Sequence, residues 1–204
     1  NGCAFCIIPK LRGKYRSRPM DKVLAEAGEL AARGVKELIV VAQDITRYGT
    51  DWDGRHHLAD LLEELCKLDF HWIRLHYLYP DQMDERLIDV IAREEKILKY
   101  LDIPLQHCND GILKKMNRRG DKAYIENLLD ALREKIPGGV LRTSLITGLP
   151  GEGEEEFEEL CQFLWDQRML RAGVFPYSPE EGTPAAKMDR VDTEEAQRRA
   201  ELVV

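Results

Sequence analysis

The sequence predicts an α/β protein built on a parallel sheet, closer to a partial (β/α) barrel than to an open doubly wound sheet. Three observations lead there. Apolar runs of strand length alternate with amphipathic helical patterns at intervals of roughly 30–40 residues, which is the signature of βα units. The strand at 38–42, Leu38-Ile39-Val40-Val41-Ala42, is continuously apolar, as expected of a strand buried on both faces. Polar residues gather at the C-terminal ends of several strands, at Gln43-Asp44, Gln106-His107 and Gly148 to Glu152. Function spread over many strand ends is the habit of barrels, and no G-x-G-x-x-G fingerprint of a dinucleotide fold follows any strand.

The elements follow in order. Residues 7–13 read as loop. A helix is expected over 20–33, with Asp21 near its start, Leu24, Ala27, Leu30 and Ala31 on one face, and Gly34 as its stop. After the strand at 38–42, residues 44–56 read as loop and 58–67 as helix. The alternating segment 71–79 is a strand ended by Pro80, and 83–94 a helix. Residues 99–106 form a strand, 110–117 and 121–135 two helices, and 141–147 a strand. Helix 154–167, strand 171–177, a loop over 178–190 and a polar helix over 192–203 complete the chain. No Pro/Ser-rich linker or repeat divides it, so a single domain is expected, opening where one further strand has just ended.

The chain has 204 residues, enough to bury a core without staples, and an ordinary globular composition of 44% hydrophobic and 33% charged residues. No run of about 18 apolar residues exists, which excludes a membrane-spanning helix. A net charge of −7 argues against a domain that grips nucleic acid with its whole surface. The five cysteines, Cys3, Cys6, Cys66, Cys108 and Cys161, are odd in number and follow no secretory signal. They point to a reducing, cytoplasmic setting. Cys66 and Cys161 fall in helical apolar patterns and read as buried structural thiols. The run Lys10, Arg12, Lys14, Arg16 and Arg18 faces either a substrate, an anion or solvent, and the acidic stretch from Glu152 to Glu159 reads as a solvated helix start.

The sharpest chemical feature is Cys3-Ala4-Phe5-Cys6. Alone, such a pair admits an iron–sulfur site, half of a zinc site, a redox pair or no special role. No second ligand pair with zinc spacing follows, and a loop rather than a helix is expected after it.

Cys3 to Pro9, with Arg12-Gly13 and Ser17-Arg18-Pro19, resembles the end of the signature C-x-x-x-C-x-aromatic-C of radical S-adenosylmethionine (SAM) enzymes, with Phe5 as the aromatic. The similarity is greatest to their methylthiotransferase branch. It continues through Gln43-Asp44-Ile45-Thr46-Arg47-Tyr48-Gly49 and Ile73-Arg74-Leu75-His76-Tyr77-Leu78-Tyr79-Pro80. Further similar stretches are Tyr100 to His107, Leu141 to Glu152 and Tyr177 to Pro184, in the family's order. The resemblance implies a partial barrel whose first strand is cut short. It implies a 4Fe–4S cluster held by three thiolates, here Cys3, Cys6 and a third cysteine lying before residue 1. SAM then chelates the remaining iron through its amino and carboxylate groups, and one electron cleaves it to a 5′-deoxyadenosyl radical. By the same resemblance, Phe5, Gln43, Asp44, Gln106, Arg142, Ser144, Gly148 and Gly151 contact SAM, with Arg142 pairing its carboxylate.

Gln43-Asp44 and the stretch after Tyr177 resemble the branch that adds a methylthio group to an aspartate β-carbon of small-subunit ribosomal protein S12. The branch acting on tRNA adenosine typically carries Gln-Asn at that place and is the alternative. An N-terminal domain with a second 4Fe–4S cluster, a C-terminal TRAM domain and a reductant protein are expected outside residues 1–204. Direct nucleic-acid binding by this segment is not expected.

Overall fold

The structure, a computed structural model, describes residues 2–203. These residues group into two compact units. One comprises the chain up to Lys14, Pro104–Leu129 and the chain from Arg142; the other comprises Tyr15–Ile103 and Asp130–Leu141. In chain order the elements are α1 (Ile8–Arg12), α2 (Met20–Ala32), β1 (Glu37–Val40), α3 (Thr50–Asp53), α4 (Leu58–Cys66) and β2 (Trp72–Leu75). They continue with α5 (Glu85–Arg93), β3 (Ile97–Asp102), α6 (Asp110–Lys115), α7 (Lys122–Lys135), β4 (Val140–Thr147), α8 (Glu154–Asp166), β5 (Arg171–Pro176) and α9 (Thr193–Val203).

In the unit that starts at Tyr15, β1 and β2 pair in parallel with Leu38 opposite Ile73 and Val40 opposite Leu75. β2 and β3 are also parallel, with a register shift between the pairs Ile73–Ile97 and Leu75–Leu101. The apolar stripes of α4 (Leu58, Leu61, Leu62, Leu65) and α5 (Leu87, Ile88, Ile91) are buried, as are Ile73, Leu75, Ile97 and Leu101. Burial of apolar surface on this scale, at roughly 25 cal/mol per Å², is what holds the βα units together. β1 differs from expectation. Ile39 and Val41 are exposed, while Leu38 and Val40 are only half-buried. Its apolar run is therefore not covered on both faces.

In the other unit β4 and β5 pair in parallel, with Ser144 opposite Gly173 and Ile146 opposite Phe175. β4 alternates strictly: Leu141, Thr143, Leu145 and Thr147 are buried, and Arg142, Ser144 and Ile146 face the other side. This period of two is the geometry of any strand with one covered face. α9 packs on β5. The Thr147 hydroxyl donates to the Ala196 carbonyl at 2.9 Å. Gly148, at φ 75°, lies so close to α9 that a Cβ would come within 2.4 Å of the Ala196 Cβ. Gly148→Ala is therefore expected to cost ~2 kcal/mol, from overpacking and from the left-handed backbone together. A denaturant titration checks this, and an unchanged midpoint would show that α9 does not seat on Gly148.

Two expected loops contain short helices. α1 forms over five residues because Pro9 suits a first helical turn and Gly13, at φ 77°, ends it. α3 fits between Gly49 and Gly54, both left-handed. Two expected strands stop early. β2 ends at Leu75, before Tyr77 turns into positive φ at 62°. β3 ends at Asp102, and Gln106 makes only an isolated bridge to Leu145.

Candidate functional site

Cys3 and Cys6 sit on one tight turn, closed by the Cys6 N–H donating to the Cys3 carbonyl at 3.1 Å. The turn is anchored from both sides through buried Ala4. Its N–H donates to the Met116 carbonyl at 2.8 Å, and its carbonyl accepts from the Ala185 N–H at 3.0 Å. Arg118 is buried beside it. One guanidinium nitrogen is 3.7 Å from the Cys3 sulfur, and the other donates to the carbonyls of Pro104 and of Leu105, the latter at 3.2 Å. Sequence reasoning missed Arg118, because nothing in Asn117-Arg118-Arg119-Gly120 distinguishes an inward arginine from a solvated one. Among the described residues no group of three His, Cys, Asp or Glu side chains is placed to hold a metal ion.

Next to this turn a cleft of about 280 Å³ is lined by Phe5, Gln106, Ser144, Ile146, Phe175 and Tyr177, among others. Its floor is the outward face of β4, set by the alternation above. Arg142, on the same face, donates to the Ser144 hydroxyl at 2.6 Å. Gly173 makes room for it, since a Cβ there would fall 2.9 Å from the guanidinium. Three of the expected site residues, Phe5, Gln106 and Ser144, line this cleft, and Arg142 adjoins it through its bond to Ser144. Phe175 and Tyr177 join them without having been foreseen, because their side depends on the β4–β5 register.

Gln106 reaches the cleft from a strained backbone. Its φ is 75°, a conformation costing ~1 kcal/mol or more for a residue with a Cβ. It is held by its N–H donating to the Ser144 carbonyl and its carbonyl accepting from the Ile146 N–H, both at 2.8 Å. The next residue, His107, is fully buried. Its Nδ1 accepts from the Asn109 N–H at 3.0 Å, which leaves the proton on Nε2, 3.3 Å from Glu152 Oε2. Glu152 Oε1 accepts from the Gly148 N–H and from Arg199, each at 2.9 Å. Burial alone would raise the Glu152 pKa. His107, the Gly148 N–H and Arg199 outweigh it and hold the carboxyl below its ordinary value. The acidic stretch is therefore not wholly solvated. Glu152 is 3% exposed and paired, and Glu159 is bonded to Asn109 and Lys122 at 2.7 and 2.9 Å. Gly151, at φ 93°, runs beside Lys115.

Gln43 and Asp44 follow β1 in the other unit. Gln43 is exposed, and Asp44 is buried in a local turn, accepting from the Thr46 N–H at 3.1 Å and from the Thr46 hydroxyl. Burial raises its pKa against these bonds. The Thr46 hydroxyl in turn accepts from the Tyr79 N–H at 3.3 Å. The Asp44 carboxylate thus serves the loop that carries the 43–49 stretch.

Two thiols depart from expectation. Cys66 and Cys161 are only half-buried. The stripes of α4 and α8 centre on Leu62/Leu65 and on Phe157/Leu160/Phe163, which leaves each cysteine on a flank. Cys108 is the fully buried one, and burial pushes its thiol up to about 12, so it is inert as a nucleophile.

The radical SAM superfamily model matches residues 1–164, and the chain belongs to that superfamily. It is 58% identical over 189 residues to the ribosomal protein uS12 methylthiotransferase RimO of Anaeromyxobacter sp. strain Fw109-5, covering 92% of this chain and 40% of that protein. It is 54% identical over 206 residues to the RimO of Anaeromyxobacter sp. strain K, covering all of this chain and 44% of that protein. The chain thus spans about two fifths of the length of these curated relatives. In fold it is similar to the radical SAM methyltransferase TsrM of Kitasatospora setae, with a TM-score of 0.73 at 20% identity over 90% of this chain and 36% of that one. The partial-barrel class expected from sequence is this fold. Membership implies a 4Fe–4S cluster and SAM. The donor set fits the cluster: two thiols on one turn, with a buried guanidinium against one sulfur to offset anionic charge. No helix among the described residues is long and apolar enough to cross a membrane.

Proposed function

We propose that this chain is the SAM-cleaving core of a methylthiotransferase that modifies an aspartate β-carbon in ribosomal protein uS12. The observation that carries the reading is the 58% identity, over nearly the whole chain, to a protein of that name. Cys3 and Cys6, with a third cysteine before residue 1, would hold the cluster; when bound, it supplies the electron that cleaves SAM. Arg118 would lower the cost of the cluster's charge in a dry site. Arg142 and Ser144 would hold the carboxylate of SAM, a guanidinium being suited to two parallel bonds. Phe5 and Ile146 would exclude water, and Gln106 would present its amide to the cleft. Gln43, Asp44, Gly148 and Gly151 are assigned to the same ligand by resemblance. A second cluster and the docking of substrate belong to domains outside these residues, and a reductant protein supplies the electrons in the cytoplasm.

The test uses the full-length protein, reconstituted anaerobically with iron and sulfide and given SAM, a reductant, small ribosomal subunits and bulk tRNA. Mass spectrometry of both macromolecules is expected to show a methylthio increment on one uS12 aspartate. An increment on tRNA adenosine instead would keep the chemistry and overturn the substrate.

A further inference from the structure

Gln106 enters the cleft with positive φ, and the bonds that hold the following residue lead away from the cleft to α9. His107 is fully buried; its Nδ1 accepts from the Asn109 N–H at 3.0 Å, and its Nε2 faces Glu152 Oε2 at 3.3 Å, two buried polar atoms with no other partner. The other Glu152 oxygen ties in the Gly148 N–H, at the end of β4, and Arg199, on α9. Arg199 is itself locked. It donates to the Gly153 carbonyl at 3.0 Å, to Glu195 at 2.8 Å and to Glu154 at 3.2 Å, and lies over the Phe157 ring at 5.2 Å. None of these groups lines the cleft beside Gln106. A buried charged node placed one residue behind a strained, cleft-lining side chain does what supporting shells do: it fixes the orientation of a group it does not replace.

We propose that Glu152 is a positioning residue. Through His107 it holds Gln106 in its left-handed conformation in the cleft, and through Arg199 it makes that orientation depend on the seating of α9. This rests on the reading of the cleft as the SAM site.

The test is a double-mutant cycle on the full-length holoenzyme, reading the SAM dissociation constant by equilibrium dialysis without reductant, so that no turnover is needed. Iron content and melting temperature are measured alongside. Gln106→Ala and Glu152→Gln are each expected to weaken SAM binding about tenfold. The double variant is expected to bind no worse than Gln106→Ala alone, because the two act through one group. A purely structural role for Glu152 would give independent effects. Unchanged binding in Glu152→Gln, or losses that add in the double variant, would overturn the proposal while leaving the cleft as the SAM site. Unchanged binding in Gln106→Ala would overturn both. If Glu152→Gln does not fold, Arg199→Lys, which keeps the charge but not the set of three further bonds, enters the same cycle with the same expected non-additivity.

Discussion

Cys6→Ala is expected to abolish 5′-deoxyadenosine formation in the anaerobically reconstituted protein while the fold survives. The thiol is half-buried, and the turn it ends is held by backbone bonds of residues 3, 4 and 6, which alanine keeps. The stability cost should therefore stay near ~0.5 kcal/mol. The loss of chemistry should be complete, because a cluster short of one thiolate ligand is lost or misassembled. The measurements are iron content, the visible absorbance of the cluster and 5′-deoxyadenosine by chromatography. A Cys6→Ala protein that still cleaves SAM would refute the cluster assignment. Cys3→Ala is expected to do the same with a larger stability cost, since Cys3 is buried against Arg118.

Arg199→Ala is expected to be the most destabilising single change in the unit that carries the cleft, at about 3 kcal/mol. It strands the buried Glu152 carboxylate, and it also releases bonds to the Gly153 carbonyl, Glu154 and Glu195. The sign of the pH dependence follows from Glu152. Its folded pKa lies below the ordinary 4.5. Its contribution to stability is then fully present above the unfolded pKa and is lost as pH falls through the folded one. Removing Arg199 takes away one of the three groups that oppose the effect of burial. The variant's acid limb should therefore move to higher pH. Urea titrations between about pH 3 and 7 would show this. Equal loss of stability at every pH would mean that Arg199 acts by packing on Phe157 and not by charge.

Much of the βα order could be read in advance because it depends on local pattern. The helices over 20–33, 58–67, 83–94 and 154–167 and the strand over 141–147 declare themselves by apolar period, and each appears within one or two residues of its expected ends. The alternation of β4 places Arg142 and Ser144 on one face by residue spacing alone. Cys3, Phe5 and Cys6 could be singled out because they fall within four consecutive residues.

What lay beyond the sequence was everything that requires two distant segments to meet. Glu152 reads as one more acid in a run of glutamates, because the partners that neutralise it, His107 and Arg199, lie about 45 residues away on either side. Arg118 looks like a surface base until the turn at Cys3 folds over it. Phe175 and Tyr177 reach the cleft through the parallel register with β4, and the absence of a side chain at Gly148 has meaning only once α9 is seated. The sequence by itself determined the order of elements and the closeness of Cys3 to Cys6, since both are carried by short-range patterns of residue type. Only the tertiary structure decided which charges are buried and which side chains share a cleft. Desolvation and packing depend on neighbours that the chain brings together only by folding.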